Sequence, residues 1–198
     1  MASRHTPFDS LVLAAVVAEG QEWVGARIQK VWQPEPLVVV MSLYYGVERF
    51  LLLSAEADSA RVHLVSRRVD GSGDLPAFCT SLRKSLTDGR VVFVRQRGLD
   101  RILEIGVSSS AGDFQIVAEL MGKHSNIMLV DSSRKTIAAA KWVGKSQSKR
   151  PVLPGQLYEP PPFEPRPLLT KASAGDDLRE FEGWSPFLGR LMEAGLTL

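Results

Sequence analysis

Two short segments carry the side chains best suited to chemistry. Gly98-Leu-Asp-Arg-Ile102 sets a carboxylate beside a guanidinium, at Asp100 and Arg101, and Met121-Gly-Lys-His-Ser-Asn126 follows a glycine with Lys123, His124, Ser125 and Asn126. A guanidinium with its fork of donors, and an ammonium in a tight turn, are groups that grip phosphate and sugar. Strict alternation along a strand over 99–107 puts Arg101 on the face of Leu99, Leu103, Ile105 and Val107, a face otherwise suited to the core. Burying the charge unpaired would be costly. It therefore either lies at the open strand end or is held by a carboxylate. Asp100 points the other way in a regular strand, so a bulge at Gly98 or a third group such as Asp9 is required. Ordinary accounts stay open for each pattern: a rim charge pair for Asp100 and Arg101, a solvated turn for 121–126 and a helix N-cap for Asp9.

Basic residues gather around these segments. Arg83, Lys84, Arg90, Arg95, Arg97 and Arg101 face only Asp88 and Asp100 in sequence, and 141–150 holds Lys141, Lys145, Lys149 and Arg150 with no acid. Together they form a local footprint for a phosphate backbone, although Lys+Arg 24 against Asp+Glu 22 leaves a net charge of only +2. Enzyme signatures are missing: there is no CxxC, HExxH, P-loop or nucleophile elbow. His5, His63 and His124 lack metal-ligand spacing, so neither a metal nor a cofactor is expected, and His63 reads as a structural histidine. The one cysteine, Cys79, cannot make an intramolecular disulfide, which fits a cytoplasmic location. No run approaches the ~20 apolar residues of a membrane span. The apolar stretch 11–18, bounded by Asp9, Glu19 and Glu22, reads as a buried helix face and not as an export signal.

The elements that must position these groups follow from hydrophobic spacing. Asp9 caps a helix over 10–20, and strands follow at 24–33, 37–43, 47–54 and 60–66, the middle pair turning through Tyr45-Gly46. A polar break at 70–74 precedes a second helix, opened by Pro76, with Phe78, Cys79, Leu82 and Leu86 on one face, and ended by Asp88-Gly89. Strands are predicted again at 91–96, 99–107, 114–120, 126–130 and 136–143. The order resembles an internal duplication: Ile28-Gln-Lys-Val-Trp-Gln33 overlies Val91-Val-Phe-Val-Arg-Gln96, and Ala60-Arg-Val-His-Leu-Val65 overlies Ser125-Asn-Ile-Met-Leu-Val130. The predicted fold is α+β, a β-sandwich of two helix-plus-four-strand halves whose apolar faces bury each other. Domain boundaries fall at 1–150 for this unit, 151–170 for a proline-rich linker and 171–198 for a helical remainder. That remainder, with Ser185-Pro186 starting a short helix, is too short to hold a core alone, so the chain is expected to stop inside a continuing module.

Five ordered motifs, Pro7-Phe-Asp-Ser-Leu-Val-Leu13, Phe78-Cys-Thr-Ser-Leu-Arg-Lys84, Gly98-Leu-Asp-Arg-Ile102, Met121-Gly-Lys-His-Ser-Asn126 and Arg150-Pro-Val-Leu-Pro-Gly155, resemble the NFACT N-terminal domain. That family occurs in bacterial ribosome-associated quality-control factors of the RqcH type, in proteins called fibronectin-binding protein A and in eukaryotic NEMF-type relatives. The family's Gly-Arg-His step is here Gly122-Lys123-His124, which keeps the charge but loses the bidentate fork. The resemblance implies a fold similar to the N-terminal domain of formamidopyrimidine-DNA glycosylases, followed by a helix-hairpin-helix module, of which 171–198 would be a part. It implies binding to the obstructed large ribosomal subunit with its peptidyl-tRNA, and recruitment of tRNA, in bacteria tRNA-Ala, for template-free C-terminal alanine tailing. By the same resemblance Asp9, Asp100 and Arg101 engage tRNA, joined as tRNA-binding candidates by Arg83, Lys123, His124, Ser125 and Asn126, and the two aspartates hold Arg101 pre-oriented. Peptidyl transfer is left to the ribosome, so the domain is expected not to be an enzyme. Two other readings remain on this footing. A glycosylase-like nucleic-acid enzyme lacks its N-terminal Pro-Glu, since this chain begins Met1-Ala-Ser-Arg4. A surface fibronectin-binding adhesin lacks a recognisable export signal.

Overall fold

The computed structural model describes residues 8–67, 69, 75–162, 166–167, 171–172 and 176–194. The stretch 1–7, the whole polar break at 70–74 and parts of the proline-rich run lie outside the described residues.

Helix α1, Ser10–Glu19, runs into a 3-10 turn and then into strands β1 (Arg27–Glu35), β2 (Val38–Tyr45), β3 (Val47–Ser54) and β4 (Arg61–Val65). Helix α2, Ala77–Leu86, leads to β5 (Arg90–Gln96), β6 (Ile102–Ser109), β7 (Gly112–Glu119), β8 (Asn126–Asp131) and β9 (Thr136–Ala139), and α3, Pro186–Glu193, lies near the end. The strands form one antiparallel sheet in the order β4-β3-β2-β1-β5-β6-β7-β8-β9. The two expected half-sheets are therefore continuous. Their seam is narrow: β1 and β5 share the single register pair Arg27 and Arg90, extended by backbone bonds from Gly25 N to Val91 O and Ile28 N to Gly89 O, both 2.8 Å.

The duplication is visible in the packing. Helix α1 packs on β4 and β5, while α2 packs on β9 and β1, so each helix spans from its own half to the other. One buried cluster draws Ile28, Met41, Leu51 and Val62 from the first half and Ile105, Ile116 and Leu129 from the second, with Leu13 of α1 and Phe78, Leu82 and Leu86 of α2. Removing this much apolar surface from water is the main favourable contribution to folding. On the opposite face of the second half, Ile102, Val117, Met128, Val130 and Ala139 pack against Val152 and Tyr158. Strands β6 to β8 are therefore buried on both faces, which explains their near-continuous apolar runs. The segment carrying Val152 and Tyr158 has no helix or strand of its own but is stitched to the sheet, with Thr136 N donating to Gln156 O at 2.8 Å and Tyr158 N to Arg134 O at 2.7 Å.

This strap brings a charge into the interior. Glu119, at the end of β7 and 1% exposed, accepts a two-pronged bond from Arg150, Nη1 to Oε1 at 2.8 Å and Nη2 to Oε2 at 2.5 Å, and a third from Tyr158 OH to Oε1 at 3.0 Å. Arg150 Nη1 also donates to Glu159 O at 2.8 Å. A buried carboxylate is tolerable only when its acceptor sites are filled in this way. Burial, followed by the neighbouring Glu119 charge, holds the Tyr158 phenol far above its ordinary range.

Two outcomes follow. Arg150→Met strands Glu119 without its partner and should cost about 3–5 kcal/mol of stability in urea titrations. Because the folded chain keeps the Tyr158 proton that the unfolded chain releases near pH ~10, the contribution of Tyr158 to stability should be constant below that pH and be lost progressively above it. Tyr158→Phe should flatten that alkaline limb in the same titrations.

Candidate nucleic-acid interface

The two halves differ where the chemistry lies. In the first half β1 and β2 are joined across Pro36 and Leu37, between the pair Glu35 and Val38. In the second, the last pair of β5 and β6 is Gln96 with Leu103, and a loop intervenes. Strand β6 starts at Ile102, later than the predicted 99–107, because Gly98 takes a left-handed φ of 56° and Asp100 N turns back to Arg97 O at 3.0 Å. Arg101 thus precedes the strand and has no strand parity. The inference that it lies on a core-facing side is corrected: it is a loop residue, half-buried.

This loop is tethered at nearly every residue. The Gln96 side-chain amide donates both to Asp100 O at 2.8 Å and to Ser10 O at 2.9 Å, which binds the loop to the first turn of α1. Asp100 Oδ1 accepts the Arg101 N–H at 2.8 Å, Leu120 N donates to Arg101 O at 2.9 Å and Leu99 N donates to Glu182 Oε1 at 2.7 Å. The repeat held a signal for Gln96. Its counterpart Gln33 likewise donates to a carbonyl of the following loop, Pro36 O at 2.7 Å.

Asp9 is the N-cap of α1, its Oδ1 accepting from Leu11 N at 3.1 Å and Val12 N at 3.0 Å. Its other oxygen, Oδ2, accepts the Ser185 hydroxyl at 2.5 Å, and Ser185 Oγ in turn accepts from Leu188 N at 3.1 Å as the N-cap of α3. Both groups are buried, 7% and 8% exposed. The expected grip of two aspartates on Arg101 is not formed: among the described residues Arg101 makes no ion pair with either. The carboxyl oxygens of Asp9 cap helices, and Asp100 binds its neighbour's backbone. Asp9, Asp100 and Arg101 nonetheless line one open cleft of about 740 Å³, together with Gly122, Arg166, Trp184 and Arg190.

The second predicted segment divides. Lys123 and His124 are exposed on a short 3-10 turn, whereas Ser125 and Asn126 point inward. Asn126 is structural: its Nδ2 donates to Lys141 O at 2.9 Å and its Oδ1 accepts from Lys141 N and Ile127 N, both 3.0 Å. The Ser125 hydroxyl is fully buried. Arg83, on α2, is not among the residues lining the cleft and donates to Val31 O at 2.7 Å. The basic footprint shrinks accordingly. Arg90 donates to Gly25 O, Arg95 pairs with the buried Glu104 while stacking on Phe93 at 4.6 Å, Arg150 holds Glu119 and burial pulls the Lys141 pKa down. Arg97, Arg101, Lys123, Lys145 and Lys149 form no ion pair among the described residues. Sequence reasoning identified Ser185 as a cap but missed Gln96 and Glu182, whose roles depend on tertiary contacts.

A family model described as NFACT N-terminal and middle domains matches residues 9–186. The chain is similar to the Rqc2 homolog RqcH of Bacillus subtilis, 35% identical over 181 residues covering 87% of this chain and 32% of that protein. It is also similar to the Rqc2 homolog RqcH of Streptococcus suis, 40% identical over 164 residues covering 78% of this chain and 30% of that protein. It thus spans about a third of the length of these curated relatives. Among solved structures, the N-terminal part of the fibronectin/fibrinogen-binding protein from Streptococcus suis superposes with a TM-score of 0.81 at 33% identity, over 90% of this chain and 76% of that one. The N-terminal domain of the fibronectin-binding protein PavA from Streptococcus pneumoniae gives 0.82 at 31% identity, over 95% and 80%. The matched span takes in Asp9, the Asp100–Arg101 loop and Ser185, and the chain belongs to the NFACT N-terminal and middle domain family.

Proposed function

We propose that this chain is the tRNA-binding N-terminal part of a ribosome-associated quality-control factor, and that its cleft at Asp9, Asp100 and Arg101 engages tRNA. The whole factor would bind the obstructed large ribosomal subunit carrying peptidyl-tRNA and bring tRNA, by family resemblance tRNA-Ala, for template-free C-terminal tailing. The domain's part is binding and positioning, with bond formation left to the ribosome.

The observation that carries this reading is Arg101. Several neighbouring basic side chains are spent on the fold, whereas this guanidinium, its backbone fixed from both sides, lines an open cleft without a protein counter-ion among the described residues. With the backbone already fixed, only the side-chain rotamers remain to be ordered when a phosphate or base edge arrives. Lys123 and His124, exposed on the turn that starts at the cleft-lining Gly122, extend the same surface. The naming of the relatives as Rqc2 homologs supports the setting. A second reading, attachment to fibronectin, rests on the printed titles of the structural neighbours, and binding of the purified protein to immobilised fibronectin tests it.

In the complete factor, Arg101→Ala should lower tail synthesis more than ten-fold, roughly the loss of a charge-assisted contact, with unchanged thermal stability, and Asp100→Ala, which also removes the acceptor of the Arg101 N–H, should lower it as much with a stability loss of about 1 kcal/mol. Undiminished tailing would remove the assignment. Asp9 behaves differently because it is a cap. Asp9→Ala should lower stability by about 1–2 kcal/mol, whereas Asp9→Asn keeps an oxygen for the α1 N–H groups but replaces the acceptor of the Ser185 hydroxyl with an NH2 donor, and should fall between Asp9→Ala and the parent in urea denaturation.

A further inference from the structure

We infer that residues 182–185 form a positioning clasp, which sets Asp9 and the Asp100–Arg101 loop relative to one another so that the cleft takes its binding geometry only when this segment is docked. The inference rests on the RNA reading for the nature of the ligand, but its structural part does not.

Three contacts from four consecutive residues carry it. Glu182 Oε1 accepts the Leu99 N–H at 2.7 Å, immediately before Asp100. Gly183 lies so close to the domain that a Cβ there would sit 3.1 Å from Leu99 Cδ1 and 3.6 Å from Leu11 Cδ2, and its φ of 93° is one that side-chain-bearing residues rarely adopt. Ser185 Oγ donates to Asp9 Oδ2. The segment is braced from behind by Glu182 N donating to Pro167 O at 2.8 Å. The sheet side of the loop is held separately, by Gln96 on Asp100 O and by Leu120 N on Arg101 O. The loop therefore spans two supports. One belongs to the sheet and the other to a segment about 80 residues further on, the Glu182 to Leu99 bond bridging 83 positions.

Two consequences separate this arrangement from simple packing. Glu182 and Ser185 border the cleft themselves, but Glu182 Oε1 and Ser185 Oγ are engaged by Leu99 N and Asp9, which makes them positioning residues. Docking of the clasp and occupation of the cleft must also favour each other by the same factor, since linkage is reciprocal.

The test is amide hydrogen exchange on the chain, read at Leu99 and at Leu188, combined with affinity for a tRNA-Ala transcript. Glu182→Ala should speed exchange at Leu99 about ten-fold and weaken transcript binding roughly five- to ten-fold, the loss of one charge-assisted hydrogen bond. Glu182→Gln, which keeps an acceptor oxygen, should recover most of both. In the unaltered chain, saturating transcript should slow exchange at Leu99 and at Leu188, whose N–H is held by Ser185; this arm requires no variant to fold. Unchanged Leu99 exchange in Glu182→Ala, or no slowing on transcript binding when the transcript does bind, overturns the clasp. Faster exchange in Glu182→Ala with full transcript affinity, while Arg101→Ala loses affinity, overturns its role in the cleft. If Arg101→Ala itself keeps full affinity, the RNA reading of the cleft fails, and the clasp is decided by the exchange of Leu99 alone.

Discussion

The cleft depends on one buried carboxyl group that serves two helices. Asp9 spends one oxygen on the second and third N–H groups of α1, those of Leu11 and Val12, and the other on the Ser185 hydroxyl, which is itself the cap of α3. Helix starts leave unsatisfied donors, and a capping oxygen is their usual remedy. Here the two remedies are joined end to end, so the start of the chain's first described helix is bonded to the start of its last. The cleft lies at this junction, bounded by the first turn of α1, the 98–101 loop and the segment leading into α3.

The internal duplication shows what the fold requires and what it does not. Both halves make an antiparallel meander with a helix that reaches to the other half, and both place a glutamine in the last residues of the leading strand to hold the next loop. Only the second half lengthens that loop and fills it with Asp100 and Arg101. Sheet closure is satisfied by the short connection of the first half, so the extra residues are not needed for it. Their backbone is held tightly while the guanidinium is left to the cleft. A charged side chain carried on a fixed backbone can meet a polyanion with no loop left to order.

Much of this was legible from residue order. The helices at 10–20 and from Pro76, the strand at 47–54 and the caps at Asp9 and Ser185 follow from periodicity and local capping chemistry, which are short-range and written in neighbouring residues. The start of β6 was misplaced because Leu99 fits an alternating strand pattern, whereas a left-handed Gly98 and the bond from Leu99 N to a distant glutamate outweigh it. The basic footprint was overcounted for a related reason. Charge runs in sequence do not reveal that Arg150 and Arg95 neutralise Glu119 and Glu104, since those acids lie 31 and 9 positions away and are buried by tertiary packing. The bond from Asp9 to Ser185, across 176 positions, has no local signature at all.

The central claim is that Arg101 meets a nucleic-acid phosphate in this cleft, and the salt dependence of tRNA affinity measures that directly. Each phosphate neutralised contributes about 0.7–0.9 to the slope of log affinity against log salt. Between the complete factor and its Arg101→Ala form, measured across a salt series, the slope should become shallower by about that amount. Identical slopes, with affinity lowered equally at every salt concentration or not at all, would contradict it.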